Sequence, residues 1–162
     1  MERSSKFSLA KMAVSIAITE GAGGIGSIFT YEAIPTWYAS LARTPLSPPN
    51  WLFAPMWISL FFLMGLAFYF IWIKMPLKEA GWLPMSLFAV QLVLNVLWSV
   101  IFFGLHSILF GAIEIIFLWF FIAATAIEFH PIDRKAAYLL FPYLSWVTVA
   151  TLLNMSILFA NA

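Results

Sequence analysis

The 162-residue chain is 64% apolar and 9% charged, sets eight Lys and Arg against seven Asp and Glu for a net charge of +1, and contains no cysteine. Soluble domains run at roughly half apolar and a quarter charged, so the solvent for most of this chain is lipid, and a basic surface for nucleic acid is excluded. Disulfides and thiolate chemistry are excluded too, and with His106 and His130 as the only histidines no metal site is expected.

A helix crosses a hydrocarbon core roughly 30 Å thick with about 20 mostly apolar residues. Five stretches qualify: Leu9 to Thr30, Trp51 to Ile73, Trp82 to Gly104, Ile108 to Phe129 and Ala136 to Ala160. The expectation is an all-α polytopic membrane protein, with residues 1–162 forming a single domain built as a bundle of five transmembrane helices.

The first stretch follows Arg3, Lys6 and Lys11 in the layout of a secretory leader, but its apolar character runs past Glu20 to Phe29, so it reads as a retained span. Gly21, Gly23 and Gly26 match GxGxxG. The context is wrong for a dinucleotide site, because the glycines lie inside an apolar helix rather than after a strand, and Leu41 stands where a ribose-binding acid belongs. Close packing explains them better: Ala17 with Gly21 and Ala22 with Gly26 are small-xxx-small pairs, within the bundle or between protomers of a homodimer.

Residues 31–50 are too many for a tight turn and hold Pro35, Pro45, Pro48 and Pro49 around Trp37 and Tyr38, which reads as a long loop covering a site. Trp51 and Trp57 follow and are expected to form an aromatic rim with Trp37 and Tyr38. Pro55 is expected near a helix start or bend.

In the third span Gln91, Asn95 and Ser99 recur at i, i+4 and i+8 beside Trp98, a polar stripe that should face the bundle interior, either bonding between helices or meeting a ligand. Glu20 and Glu114 are the acids deepest in the spans, and neither has a partner at helical spacing. They read as structural carboxyls ahead of a proton relay. His130, Asp133, Arg134 and Lys135 read as a solvated loop. In the fifth span Trp146, Ala150 and Leu153 share a face, with room for a flat guest beside the indole, and Pro142 marks the helix entry or a bend.

Sorting cations by loop puts Arg3, Lys6, Lys11, Lys74, Lys78, Arg134 and Lys135 on one side and Arg43 on the other. The positive-inside rule then places the N-terminus on the cytoplasmic side and the C-terminus opposite.

In this order the motifs resemble those of the tryptophan-rich sensory protein and translocator protein family, once called peripheral benzodiazepine receptors. The matching pieces are Trp37-Tyr38, Leu41, Pro45 and Pro48-Pro49-Asn50-Trp51; Phe53, Pro55 and Trp57; Asn95, Trp98-Ser99 and Phe102-Phe103; and Pro142-Tyr143-Leu144, Trp146, Ala150 and Leu153-Asn154. They cover nearly the whole chain. The resemblance implies a five-helix bundle, often dimeric, with a pocket under the first loop for tetrapyrroles such as protoporphyrin IX or a heme-like macrocycle, or another planar apolar molecule. No cofactor is implied beyond that ligand.

Carried over by motif, the ligand-binding residues are Tyr38, Trp57, Asn95, Trp98, Ser99, Trp146 and Ala150. The resemblance also implies an enzymatic alternative, light- and oxygen-dependent breakdown of bound porphyrin, with Trp57 and Trp146 as the participating indoles and no other catalytic group identified. A scaffold or stress-signalling role is a third. The sterol-recognition pattern of the animal members is incomplete here, since Met155 follows Leu153-Asn154 and no cation comes after it.

Overall fold

The computed structural model describes residues 8–43, 47–74 and 82–162; the sequence readings that rest on Arg3, Lys6, Pro45 and Lys78 lie outside them. Helix α1 spans Leu9–Ala33 and passes directly into a wider π turn, Ile34–Tyr38. A 3₁₀ turn, Asn50–Leu52, leads into α2, Phe53–Lys74. Helix α3, Trp82–Ser99, also ends in a π turn, Val100–Gly104, and α4 covers Ile108–Phe129. The last span is made of α5, Arg134–Leu139, and α6, Phe141–Ala160. Five segments are thus long and apolar enough to cross a membrane, and no strand occurs among the described residues.

Two sequence expectations are corrected by the first of these segments. The helix does not stop at Thr30, and residues 31–50 are not one long loop, because Tyr31 to Tyr38 remain helical. Nothing from Tyr31 to Ala33 breaks a helix. Pro35 cannot donate a backbone bond and its ring crowds the preceding turn, and the wider π turn accommodates it without ending the segment. Trp37 and Tyr38 therefore sit on a helix end. Pro55 lies in the first turn of α2 and Pro142 in the first turn of α6, both where a missing N–H costs little, and the fifth span breaks at Leu140 just before Pro142.

Helix α1 packs on α2 and α3, α4 lies against both α3 and α6, and short α5 leans on α2 and α4. Among the described glycines, Gly65 of α2 is the one where an added Cβ would meet another helix's backbone, 2.7 Å from the Ile16 Cα and 2.7 Å from the Thr19 Oγ1. Met64, Ala67 and Ile71 of α2, Leu118, Ile122 and Phe129 of α4, and Tyr143 and Val147 of α6 are fully enclosed. Large apolar side chains such as Ile28, Phe62, Val93, Phe117 and Leu152 point outward, as a lipid solvent requires.

Of the small-xxx-small pairs, Gly26 is buried against the Ser99 hydroxyl inside the bundle, whereas Gly21 has nothing within 4 Å. The start of α1 meets the end of α2: the Ser8 N–H donates to the Tyr69 hydroxyl at 3.3 Å, and Lys11 lies over the Trp72 ring at 5.5 Å.

Of the four residues read as a solvated loop, His130, Arg134 and Lys135 are exposed, but Asp133 is not. Asp133 is 5% exposed, accepts from the backbone N–H of Lys135 and Ala136 at 2.7 and 3.2 Å to cap α5, and takes an ion pair from Lys74 at 2.8 Å. Burial alone raises its pKa, but Lys74 and the two amides outweigh that and hold the carboxyl below the ordinary aspartate value. A depressed folded pKa contributes stability that is complete above the ordinary value, about 3.9, and is lost as pH falls through the folded one. Asp133→Ala is expected to cost about 1–3 kcal/mol at neutral pH. In thermal unfolding the gap between the two proteins should close as pH drops below about 4. A gap that stays constant to pH 2 contradicts the ion pair and the cap as its source.

Candidate functional site

The polar stripe of α3 faces inward, with Gln91, Asn95 and Ser99 all buried. Asn95 Nδ2 donates to the Tyr143 hydroxyl at 2.7 Å, which ties α3 to α6 at the centre of the bundle. A second tie runs from Trp119 Nε1 of α4 to Thr148 Oγ1 of α6 at 2.8 Å. Glu114 of α4 is also buried, and neither of its oxygens nor either polar atom of Gln91 has a hydrogen-bond partner among the described residues.

Beside Asn95, between α1, α2 and α3, lies a cavity of about 640 Å3. Trp57, Phe61, Trp98 and Phe103 form its aromatic wall, and Asn95 and Ser99 supply polar groups. The Trp57 and Trp98 rings are 6.2 Å apart and tilted by 35°, and Trp57 leans on Phe61 at 5.9 Å. Trp98 is fixed from behind by Phe102, stacked at 5.5 Å and 9°. Its indole N–H is buried and has no hydrogen-bond partner among the described residues. The opposite side is α1, where Gly24 faces open space, while the room left by Gly23 and Gly26 is taken by the Phe61 ring and the Ser99 hydroxyl. Glu20 lies on this side too.

Four of the seven sequence-derived ligand residues, Trp57, Asn95, Trp98 and Ser99, line this one cavity. Tyr38, Trp146 and Ala150 do not, although they adjoin it through Phe53, which lines the cavity and meets Tyr38 and Trp146 edge-on, each at 6.2 Å. Ala150 packs at the border of the same core. The indole N–H of Trp146 is likewise buried and unpartnered among the described residues.

The common rim expected of Trp37, Tyr38, Trp51 and Trp57 does not form. Trp51 is 72% exposed, Trp57 turns into the bundle, and Trp37 stacks on His106 at 4.6 Å and 13°. His106 holds a left-handed backbone, φ 52°, which a non-glycine residue adopts at a cost and which that stacking accompanies. Sequence reasoning missed the wall residues Phe61 and Phe53. The signal available for Phe61 was Gly23, whose missing side chain is the space the ring occupies.

The connection after Ser40 is fastened at two points. Asn161 accepts from the Ala42 N–H at 3.0 Å and donates to the Ala42 carbonyl at 3.0 Å, so the end of α6 clasps the backbone of the connection. Arg43 sits 4.9 Å over the Tyr38 ring and donates to Asn50 at 3.3 Å.

A model of the TspO/MBR family matches residues 14–160. The chain is 38% identical over 156 residues to the tryptophan-rich protein TspO of Chlorobaculum tepidum, covering 93% of this chain and 95% of that protein. Against the tryptophan-rich protein TspO of Archaeoglobus fulgidus it is 38% identical over 155 residues, 94% and 97% of the two chains. It is also 37% identical over 145 residues to the translocator protein of Bos taurus, covering 88% and 85%.

Proposed function

This chain belongs to the TspO/MBR family, and on that footing we propose that it is a membrane receptor or translocator for tetrapyrroles such as protoporphyrin IX, bound in the cavity beside Asn95. The observation that carries the reading is the cavity wall: indoles and phenyl rings for stacking, with the Asn95 and Ser99 groups for orientation. Apolar walls with a few directed polar groups suit a planar macrocycle, and about 640 Å3 lies within the usual range for small-molecule sites. The names of the relatives, translocator protein and tryptophan-rich sensory protein, agree with transport or sensing in those proteins.

The test is saturable binding of protoporphyrin IX to purified protein, compared with an Asn95→Ala, Trp146→Ala variant. Binding unchanged in the variant counts against this site. A second reading, light- and oxygen-dependent breakdown of the bound porphyrin, is favoured by the closeness of the Trp57 and Trp98 indoles at the wall. Equal bleaching with and without protein under illumination removes it.

The described residues of the connection, 41–43 and 47–50, act in this reading as the cover of the site. Pro48→Gly with Pro49→Gly frees the backbone of the cover, and Asn161→Ala removes its clasp on Ala42. Both variants are expected to release ligand faster in a stopped-flow displacement experiment, Asn161→Ala by roughly threefold to tenfold for the hydrogen bonds it loses. Unchanged dissociation in both contradicts the cover.

Lys74 and Asp133 meet at one end of the bundle, where Lys11, Arg134 and Lys135 also lie, and by the positive-inside rule we propose that this end faces the cytoplasmic side.

A further inference from the structure

We propose that the Lys74 end of the bundle carries a second binding site, separate from the aromatic cavity, for the phosphate of an anionic membrane phospholipid. The last turn of α2 and the turn from α4 into α5 enclose a hollow of about 550 Å3. Lys74, His130, Arg134 and Lys135 line it, and Phe70 and Ile73 form its apolar side.

The electrostatics favour an anion although a carboxylate is present. Asp133 lines the hollow too, but its charge is already engaged by Lys74 and by two backbone amides. Arg134 and Lys135 are exposed and have no ion-pair partner among the described residues, so two full cations remain for a ligand. A guanidinium fork beside an ammonium is a donor set that matches phosphate oxygens.

Depth and composition select a lipid over a soluble anion. Phe70 and Ile73 belong to the final turn of a membrane-spanning helix, and Trp72 of the same turn lies beneath Lys11. Tyr138, 53% exposed, stands on α5 at the same end. Tryptophan and tyrosine with lysines at a helix end mark headgroup depth, and basic hollows at that depth hold lipid headgroups. A free phosphate uses only the cations, whereas a phospholipid also lays its first methylenes on Phe70 and Ile73.

The test is native mass spectrometry of the full chain released from nanodiscs made of phosphatidylcholine with an equal share of phosphatidylglycerol. One phosphatidylglycerol per protomer is expected to be retained in preference to phosphatidylcholine. Arg134→Gln with Lys135→Gln should lower that preference roughly fivefold per charge removed, with the unfolding temperature unchanged, since both side chains are exposed and the Lys74–Asp133 pair is left intact. Lys11→Gln, which removes a charge at the same end but outside the hollow, should leave retention as it was. Equal retention of the two lipids, or a loss in Lys11→Gln as large as in the double variant, overturns the site. Displacement of the lipid by millimolar inorganic phosphate overturns its assignment to a lipid and makes the ligand a free anion.

Discussion

Gly65→Ala is expected to destabilise the folded protein by about 1–3 kcal/mol, the cost of overpacking a tight contact. The new methyl group would stand 2.7 Å from the Cα of Ile16, a backbone atom that cannot swing aside. It would also stand 2.7 Å from the Thr19 hydroxyl, which is buried and held by the carbonyls of Ser15 and Ile16 at 3.3 and 3.1 Å. The remaining response is for α1 to move off α2. That movement widens the same pair of helices whose outer halves wall the aromatic cavity, so ligand affinity should fall together with stability.

Gly24→Ala is the control. Nothing lies within 4 Å of its added methyl group, and the gain in helix propensity should stabilise the protein by roughly 0.5–1 kcal/mol. Thermal unfolding in detergent separates the two. A Gly65→Ala protein as stable as the parent contradicts the close packing of α1 on α2.

Trp57→Ala is expected to weaken binding of protoporphyrin IX by about tenfold to a hundredfold, with Trp57→Phe recovering part of the loss. The indole sits at the cavity wall in contact with Phe61 and Trp98 and edge-on to Tyr143 at 6.4 Å. Its removal takes away one stacking surface and a ring that packs against Trp98. Aromatic pairs contribute about 0.5–1.5 kcal/mol each beyond their burial, and about 1.4 kcal/mol is a factor of ten in affinity.

Because Trp57 is only partly buried, its loss should move the unfolding temperature less than Trp98→Ala, which opens a fully enclosed core position. Binding by Trp57→Ala equal to that of the parent moves the ligand out of this cavity. An Ala54→Trp variant then decides the matter independently, since Ala54 lines the cavity from an exposed position and a bulky side chain there obstructs it without disturbing the core.

The five spans were legible because lipid leaves a chain little choice: about 20 apolar residues must be helical to satisfy their own backbone. The extent of the first helix was not legible. Prolines read as breakers, and nothing in the order of residues tells that Pro35 is accommodated by a π turn that keeps Trp37 and Tyr38 on the helix. The burial of Asp133 was hidden for another reason, since its partner Lys74 is 59 positions away and a run of charge between spans reads as solvated.

Facing within the spans was legible only where polarity marks it. Gln91, Asn95 and Ser99 stand out on α3, and all three are buried. On α1 and α2 both the lipid side and the bundle side are apolar, so periodicity carries no contrast. That is why the rim expected of Trp57 with Trp37, Tyr38 and Trp51 was misjudged, although Trp57 lines the cavity as its motif implied. The seven motif-derived residues separated for the same reason: four share the cavity, while Tyr38 and Trp146 stand behind Phe53, a ring whose place depends on how helices meet, and Ala150 packs against the core.

The measurement that bears most directly on the proposed function is quenching of tryptophan fluorescence by protoporphyrin IX in the dark, followed by illumination of the same sample beside a protein-free control. Trp57 and Trp98 at the cavity wall are two of the eight tryptophans, so comparison with Trp57→Ala is what assigns the quenching to the site. Saturable quenching that weakens in Trp57→Ala is the predicted result, with accelerated pigment loss in the light adding the photochemical activity and its absence leaving a receptor or carrier. Quenching that rises linearly with porphyrin and is the same in parent and variant contradicts a tetrapyrrole site in this cavity.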